Sequence, residues 1–174
     1  MTKMARQLGF YLEADRCIGC RACEIACKQW HGLKPETAVG TVLSWRRVTQ
    51  NETGTFPNVR VTYLSVACRH CAKPLCVEAC PTGAISKRSE DGIVVVDRDK
   101  CNGCRECFSA CPFDIPQFGD DGLMQKCDFC LERLEKGQKP VCELTCTANA
   151  LHTGTIEELS VLAAQKAAQK LARP

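Results

Sequence analysis

Hydrophobic and polar residues alternate over two early stretches, "SWRRVTQ" (44–50) and "VRVTYLSVA" (59–67), with the turn-rich "NETGTFPN" (51–58) between them. A period of two sends successive side chains to opposite faces, so these stretches predict two strands joined by a turn. A further strand is predicted at "IVVVD" (93–97), behind the turn residues "SEDG" (89–92). The period changes in "TIEELSVLAAQKAAQKL" (155–171), where Ile156, Leu159, Leu162, Ala163 and Leu171 suggest one helical face. Thr155 with Glu158 predicts a capping box at its start, and its lysines read as a solvated face. No apolar run approaches the roughly 18–20 residues that cross a bilayer, so no direct membrane span is expected.

Between these stretches one residue type dominates. Cysteine fills 16 of 174 positions, and the 45% hydrophobic content includes it. A chain of this length can bury a core, but this one needs something that ties thiols together and stands in for part of the apolar packing. The net charge of +3 is mild, and basic and acidic residues are interspersed. No nucleic-acid partner is expected from such a surface. The start, "MTKMARQLGFYLEADRC", has neither the layout of a secretory leader nor a twin-arginine pair. The chain reads as soluble, one compact unit or two small lobes.

The cysteines form four groups of four. They are Cys17, Cys20, Cys23, Cys27; Cys68, Cys71, Cys76, Cys80; Cys101, Cys104, Cys107, Cys111; and Cys127, Cys130, Cys142, Cys146. Groups one and three follow the C-x2-C-x2-C-x3-C spacing of bacterial ferredoxins. Groups two and four lengthen the insert before the third cysteine. Disulfides suit secreted chains, and cysteines three apart in a tight loop are poorly placed to pair with each other. Zinc prefers two separated Cys-x2-Cys knuckles; group four alone fits that pattern. Groups one and three fit an iron–sulfur cube better. Thiolates at i, i+3 and i+6 grip three irons, and Gly19 and Gly103 let the backbone approach. The fourth cysteine serves another cube, and Pro81 and Pro112 redirect the chain. Four [4Fe–4S] clusters are expected.

"PTGAISKRSEDGIVVVDRDK" (81–100), a hairpin between groups two and three, makes those groups partners. One cube then takes Cys68, Cys71, Cys76 and Cys111, and another takes Cys101, Cys104, Cys107 and Cys80. The outer groups repeat this design with the chain cut open. "TANAL" after group four matches "PTGAI" after group two, and "FYLEADRC" before group one matches "VVVDRDKC" before group three. A strand near 10–13 should therefore pair with one near 150–153. The remaining cubes take Cys17, Cys20, Cys23 and Cys146, and Cys127, Cys130, Cys142 and Cys27. The rival pairing, group one with two and three with four, stays open at this level but lacks this matching.

The fold class that follows is α+β, with two ferredoxin-like lobes of two clusters each, one nested in the other. Small antiparallel hairpins, short helices and a C-terminal helix complete it. The expected boundaries within a single unit over 1–174 are an inner lobe at about 67–119, an outer lobe at about 9–30 plus 120–154, an inserted β segment at 31–66, and the helix at 155–171. Four cubes in a row have one evident use, the movement of single electrons. Trp30, His31 and Trp45 are expected to pack over clusters or between lobes, with a partner interface as the sharper alternative. Arg16, Arg69, Lys100 and Lys126 neighbour cluster cysteines, where positive charge raises a cube's potential, or are merely exposed. His31, His70 and His152 are scattered, and no catalytic constellation is present. The chain is expected to carry out no substrate chemistry.

The segments "CRHCAKPLCVEACPTGAI", "VVVDRDKCNGCRECFSACPF" and "KCDFCLERLEKGQKPVCELTC" resemble the iron–sulfur β subunits of the dimethyl sulfoxide reductase family over roughly residues 9–160. That resemblance implies a catalytic partner with a molybdenum or tungsten bis-pterin guanine dinucleotide cofactor, and often a membrane subunit that exchanges electrons with quinone. It implies that the cube of Cys17, Cys20, Cys23 and Cys146 faces the catalytic subunit and that the cube of Cys101, Cys104, Cys107 and Cys80 is the exit. In related nitrate reductases tryptophan replaces the residue matching Cys104 and leaves a three-iron cluster; here four complete cubes are expected. Thr147 stands where relatives often have proline, which weakens a local turn prediction but not the ligand assignment. The transmembrane tail of some formate dehydrogenase β subunits is not found, so membrane contact would be borrowed. The implied location is cytoplasmic or membrane-associated through a partner, with export on a partner's twin-arginine signal as a further route. The alternative reading is a polyferredoxin-type wire of a hydrogenase or formate–hydrogen complex.

Overall fold

Each cysteine group interrupts the chain with a tight loop and a short helix, which leaves only brief extended stretches to pair. A computed structural model describes residues 6–34, 38, 40 and 42–172. The leader-free reading of the first five positions, and positions 35–37, 39 and 41 of the expected inserted segment, lie outside the described residues. The elements run β1 (Leu8–Leu12), α1 (Ala22–Trp30), β2 (Arg46–Thr53), β3 (Arg60–Ala67), α2 (Leu75–Glu78), β4 (Ile85–Lys87), β5 (Val94–Val96), α3 (Glu106–Ser109), β6 (Gln117–Phe118), β7 (Met124–Gln125), α4 (Leu131–Glu135), α5 (Val141–Leu144), β8 (Leu151–Thr155) and α6 (Ile156–Leu171). The strands form separate two-stranded antiparallel ladders, β1–β8, β2–β3, β4–β5 and β6–β7. The fold is mixed α+β, with small two-stranded sheets, short helices and a C-terminal helix.

The pairing predicted from the repeated surroundings of the cysteines is present. Phe10 lies opposite Thr153 and Leu12 opposite Leu151, and the Glu13 amide continues the ladder by donating to the Ala150 carbonyl at 2.8 Å. β2 and β3 form the ladder that alternation predicts, but β2 runs on through 51–53, which reads as turn in the sequence. β4–β5 is the hairpin between groups two and three. The β6–β7 hairpin is not foreseen by the sequence. Its turn contains the expected lobe seam at 119/120, and Met124 beyond that turn packs with Ile85, Val94 and Cys107.

Helix α6 carries the capping box in full. The Glu158 amide donates to Thr155 Oγ1 at 3.2 Å, and the Thr155 amide donates to Glu158 Oε2 at 2.8 Å. The helix docks on this chain, against β1 and β8. Its apolar face is shorter than the sequence suggests, because Leu159 is buried while Leu171 is 88% exposed. The lysines are not all solvated. Lys166 reaches Glu13 at 3.4 Å and Lys170 reaches Asp15 at 3.1 Å. Glu13 is only 4% exposed, and a buried carboxylate needs such partners.

The interior consists of small cores built largely around thiols. Cys23 and Cys142 pack with Val48 and Leu151. Cys68 and Cys127 pack with Ala67 and Ile115. Cys107 packs with Ile85, Val94 and Met124. Leu8, Ile93 and Phe129 form a further core without cysteine.

Candidate metal centres

The four loops share one backbone solution. The residue two places after the first cysteine has positive φ in every group: Gly19 at 70°, His70 at 46°, Gly103 at 73° and Phe129 at 65°. Such a residue turns the loop so that the next thiol points back toward the first. Glycine is required where neighbours press. A Cβ on Gly19 would lie 2.6 Å from the Tyr63 ring, and one on Gly103 would lie 2.7 Å from the Gly122 carbonyl. The third cysteine then rides on a helix: Cys23 on α1, Cys76 on α2, Cys107 on α3 and Cys142 on α5. Pro74 and Pro140 stand at the N-caps of α2 and α5. Those groups with the long insert enter their helix from proline; groups one and three enter from left-handed Arg21 and Arg105.

After the fourth cysteine three groups close the same turn. The amides of Gly83, Asp114 and Asn149 donate to the carbonyls of Cys80, Cys111 and Cys146 at 3.3, 3.3 and 2.9 Å. Thr147 therefore does not weaken the turn, because Asn149 supplies the left-handed residue (φ 47°) that closes it. Thr147 adds a contact instead, with its Oγ1 3.4 Å from Cys20 Sγ.

All sixteen cysteines are free thiols. One cavity is lined by Cys17, Cys20, Cys23 and Cys146, with Val48, Ser65 and Leu151 as apolar and hydroxyl walls. A second is lined by Cys80, Cys101, Cys104 and Cys107, with Ile85, Phe118 and Met124. Elsewhere Cys27 lies in the field of Cys142 and Cys130, and Cys76 in that of Cys68, Cys111 and Cys71. A dense set of soft thiol donors, four to each of two cavities and with no disulfides, suits iron–sulfur clusters. A more open cavity of about 480 Å³ lies between β1 and the end of β3. Cys68 is its sole cysteine, so it lacks the donor set for a cluster.

The cores join these cysteines in sequence. Cys23 and Cys146 share a core with Cys142. Cys127 shares one with Cys68 and Cys111. Cys76 shares one with Cys80, Cys101 and Cys107. Among these thiols Cys20 and Cys104 are exposed, while Cys23, Cys27, Cys68, Cys107, Cys127, Cys130 and Cys142 are buried.

Burial dominates the thiol electrostatics. It pushes Cys27 up to about 12, helped by Cys142. It pushes Cys130 and Cys107 up to about 11 each, and Cys127 well above the usual thiol range. Such thiols bind metal by giving up protons. Cys20 goes the other way, held down by its hydrogen bond with Thr147. Cys80 is also lowered: burial acts to raise it, but hydrogen bonds from Thr82 and from backbone amides outweigh that.

Of the four predicted basic neighbours, only Lys126 is buried, at 4% exposure. Its Nζ donates to the carbonyls of Val94 and Cys127, and its charge opposes the upward push on Cys76. Lys100 pairs with Asp97 at 2.8 Å and Arg16 with Glu13 at 3.8 Å. Arg69 lies over the Phe113 ring at 4.9 Å. Trp45 is part-buried, donates to Gln125 at 3.1 Å and faces His31 at 4.3 Å. His31 Nε2 in turn lies 3.6 Å from Cys130 Sγ. With Asp128 these donors come within 4.8 Å of one another, at the edge of the Cys130 thiol. Trp30 is 42% exposed and lies under Arg133. His70 is buried; its Nδ1 accepts from the Val94 amide at 3.0 Å. His152 Nε2 lies 2.8 Å from Glu13. Arg46 and Ser65, which the sequence reading passes over, prove to lie among the thiols.

The chain matches the 4Fe-4S dicluster domain over residues 59–156, and a second 4Fe-4S dicluster domain over residues 16–84. It is 44% identical over 165 residues to a chain of the anaerobic dimethyl sulfoxide reductase of Escherichia coli (strain K12), covering 90% of this protein and 77% of that one. It is 36% identical over 168 residues to a subunit of the sulfite dehydrogenase of Allochromatium vinosum, covering 87% and 70%. It is 34% identical over 173 residues to the nitrate-inducible formate dehydrogenase iron-sulfur subunit of Escherichia coli (strain K12), covering 93% and 59%.

Proposed function

Because this protein belongs to the iron–sulfur, electron-transfer subunits of the dimethyl sulfoxide reductase and formate dehydrogenase family, we propose that it is the wire of a respiratory complex, carrying four [4Fe–4S] clusters. The first cluster takes Cys17, Cys20, Cys23 and Cys146. The second takes Cys127, Cys130, Cys142 and Cys27. The third takes Cys68, Cys71, Cys76 and Cys111, and the fourth takes Cys101, Cys104, Cys107 and Cys80. The observation that supports this reading best is the pair of cavities lined by four cysteines, each joining three thiols of one loop to one thiol from another group. A cubane stores and releases one electron at a time; the polypeptide holds the thiolates, excludes water and spaces the sites.

In this reading Cys17, Cys20, Cys23 and Cys146 would hold the cluster that faces a molybdenum or tungsten bis-pterin subunit, and Cys101, Cys104, Cys107 and Cys80 the one that faces a quinone-linked membrane subunit. Exposed Cys20 and Cys104 at the two ends support that direction of contact. No helix among the described residues is long and apolar enough to cross a membrane; the membrane link of this reading is placed on the partner. The lobes nest as the paired strands suggest, with β6–β7 belonging to the inner lobe.

The test is anaerobic purification from the native host, counting metals and co-purifying chains. We expect about sixteen irons per chain from four four-iron cubes, beyond any in partners, with a pterin-bound molybdenum or tungsten subunit. A nickel subunit would overturn the partner assignment and keep the wire. Cys104→Ser is expected to alter one cluster signal by EPR and leave three. Cys146→Ser should alter the signal of the Cys17 set; loss of the Cys127 set instead would sink the cross-pairing.

A further inference from the structure

Arg46 is the largest fully buried side chain, at 2% exposure. Among the described residues it forms no ion pair, and its Nη2 has no hydrogen-bond partner. An isolated buried cation is unfavourable, so its surroundings must supply negative charge. The groups acting on it are thiols: Cys142, Cys127, Cys23 and Cys27 raise its pKa, against burial, which acts most strongly and lowers it. The Phe10 ring covers the guanidinium at 4.3 Å, a contact favourable to a cation.

Nη1 donates to Ser65 Oγ at 3.0 Å. Ser65 Oγ lies 3.4 Å from Cys23 Sγ and lines the cavity of Cys17, Cys20, Cys23 and Cys146. Chemistry sets the direction of this chain. Guanidinium has donors only, so Ser65 must accept from it. The single hydroxyl proton of Ser65 is then free for Cys23, which as a ligating thiolate can only accept.

We propose that Arg46 and Ser65 form a one-way hydrogen-bond relay onto Cys23 that raises the reduction potential of the cluster held by Cys17, Cys20, Cys23 and Cys146. This rests on the ligand sets proposed above. Hydrogen bonds to cluster sulfurs and nearby positive charge stabilise the reduced, more negative state. Ser65 acts on one cluster, through its bond. Arg46 is a positioning residue for Ser65, and its charge also reaches the second cluster through Cys127, Cys142 and Cys27.

The test is an EPR-monitored redox titration of the anaerobically purified chain with its co-purifying subunits, with Cys146→Ser identifying the first cluster's signal. Ser65→Ala is expected to lower the reduced-to-oxidised ratio of that cluster alone, by less than tenfold at a fixed ambient potential. Ser65→Thr, which keeps the hydroxyl, should restore it. Arg46→Met is expected to shift the first and second clusters and leave the other two, by about tenfold in the first, which is about 59 mV for a one-electron couple. If Arg46→Met does not accumulate, the Ser65 pair carries the test. Four signals with none moved by Ser65→Ala would overturn the relay and leave the ligand map standing, as would an equal shift in all four. Fewer than four signals in the unsubstituted chain would overturn the map itself.

Discussion

Groups one and three put glycine at the left-handed loop position, while groups two and four put His70 and Phe129 there. The backbone demand is the same, but the surroundings differ. Gly19 and Gly103 sit in the loops that carry exposed Cys20 and Cys104, with a ring or a carbonyl standing where a Cβ would go. His70 and Phe129 point inward, are 1% exposed each, and meet edge to face at 5.5 Å. Phe129 also lies 4.3 Å from Phe10. A left-handed non-glycine residue costs about 1–3 kcal/mol, and full burial of a phenylalanine contributes about as much, 1.5–3 kcal/mol. Strain is thus tolerated where the loop has an interior to fill. The ends of the row stay lean and open, and the middle is sealed by rings.

The contrast can be broken most severely at its centre. Phe129→Ala should cost about 3–5 kcal/mol, the usual loss for a buried ring; anaerobic denaturant unfolding of the loaded chain measures it. Phe129→Gly should cost about 1 kcal/mol less than alanine, because glycine adopts the left-handed position without strain. Equal losses for the two would show that the backbone cost is absent. The ends sharpen the comparison. Gly103→Ala meets backbone, which cannot move aside, whereas Gly19→Ala meets the ring of Tyr63, a side chain that yields only by disturbing its packing against the Cys23 core. Gly103→Ala should therefore destabilise by about 2 kcal/mol, within the range for a strained residue, and Gly19→Ala by less. The reverse order by thermal melting would overturn this account.

The smallest effect concerns the seam that joins β1, β8 and α6. Burial of Glu13 acts to raise its pKa, but hydrogen bonds from His152 and Lys166 and the charges of Lys166 and Arg16 outweigh it and hold the carboxyl below its usual value. A carboxyl lowered in the folded state adds stability above its unfolded pKa and loses it as pH falls through the folded one. Glu13→Gln should cost about 1 kcal/mol at neutral pH and flatten the acid side of the stability profile. The two proteins should converge at low pH. A difference that persists there would assign the loss to packing.

Much of this is legible because the cysteines repeat their surroundings. The match of "TANAL" to "PTGAI" leads to the β1–β8 ladder, and Thr155 with Glu158 leads to the helix cap. The β6–β7 hairpin escapes because two residues per strand leave no periodicity to read. Arg46 escapes for a different reason. In "SWRRVTQ" it looks like one of two charges on an alternating strand, and only depth separates Arg46, at 2% exposure, from its half-exposed neighbour Arg47. Lys166 reads as solvent-facing because its partner, Glu13, lies more than a hundred residues away along the chain. His70 and Phe129 carry no sequence signal for a left-handed backbone; glycine at the matching positions of groups one and three is the only hint.

The β1–β8 ladder also sets an order of assembly. During synthesis, β4 and β5 leave the ribosome within a few residues of each other, and the loops on either side of them can close at once. Leu12 emerges early but must wait for Leu151, and a closure over so long a loop carries the larger entropy cost. The nascent polypeptide thus holds the Cys17–Cys23 loop unfinished until β8 has emerged. Its thiols are the ones most in need of a chaperone and of an oxygen-free interval before iron arrives, so a stall or truncation between β5 and β8 would leave the inner hairpin formed and the outer one open.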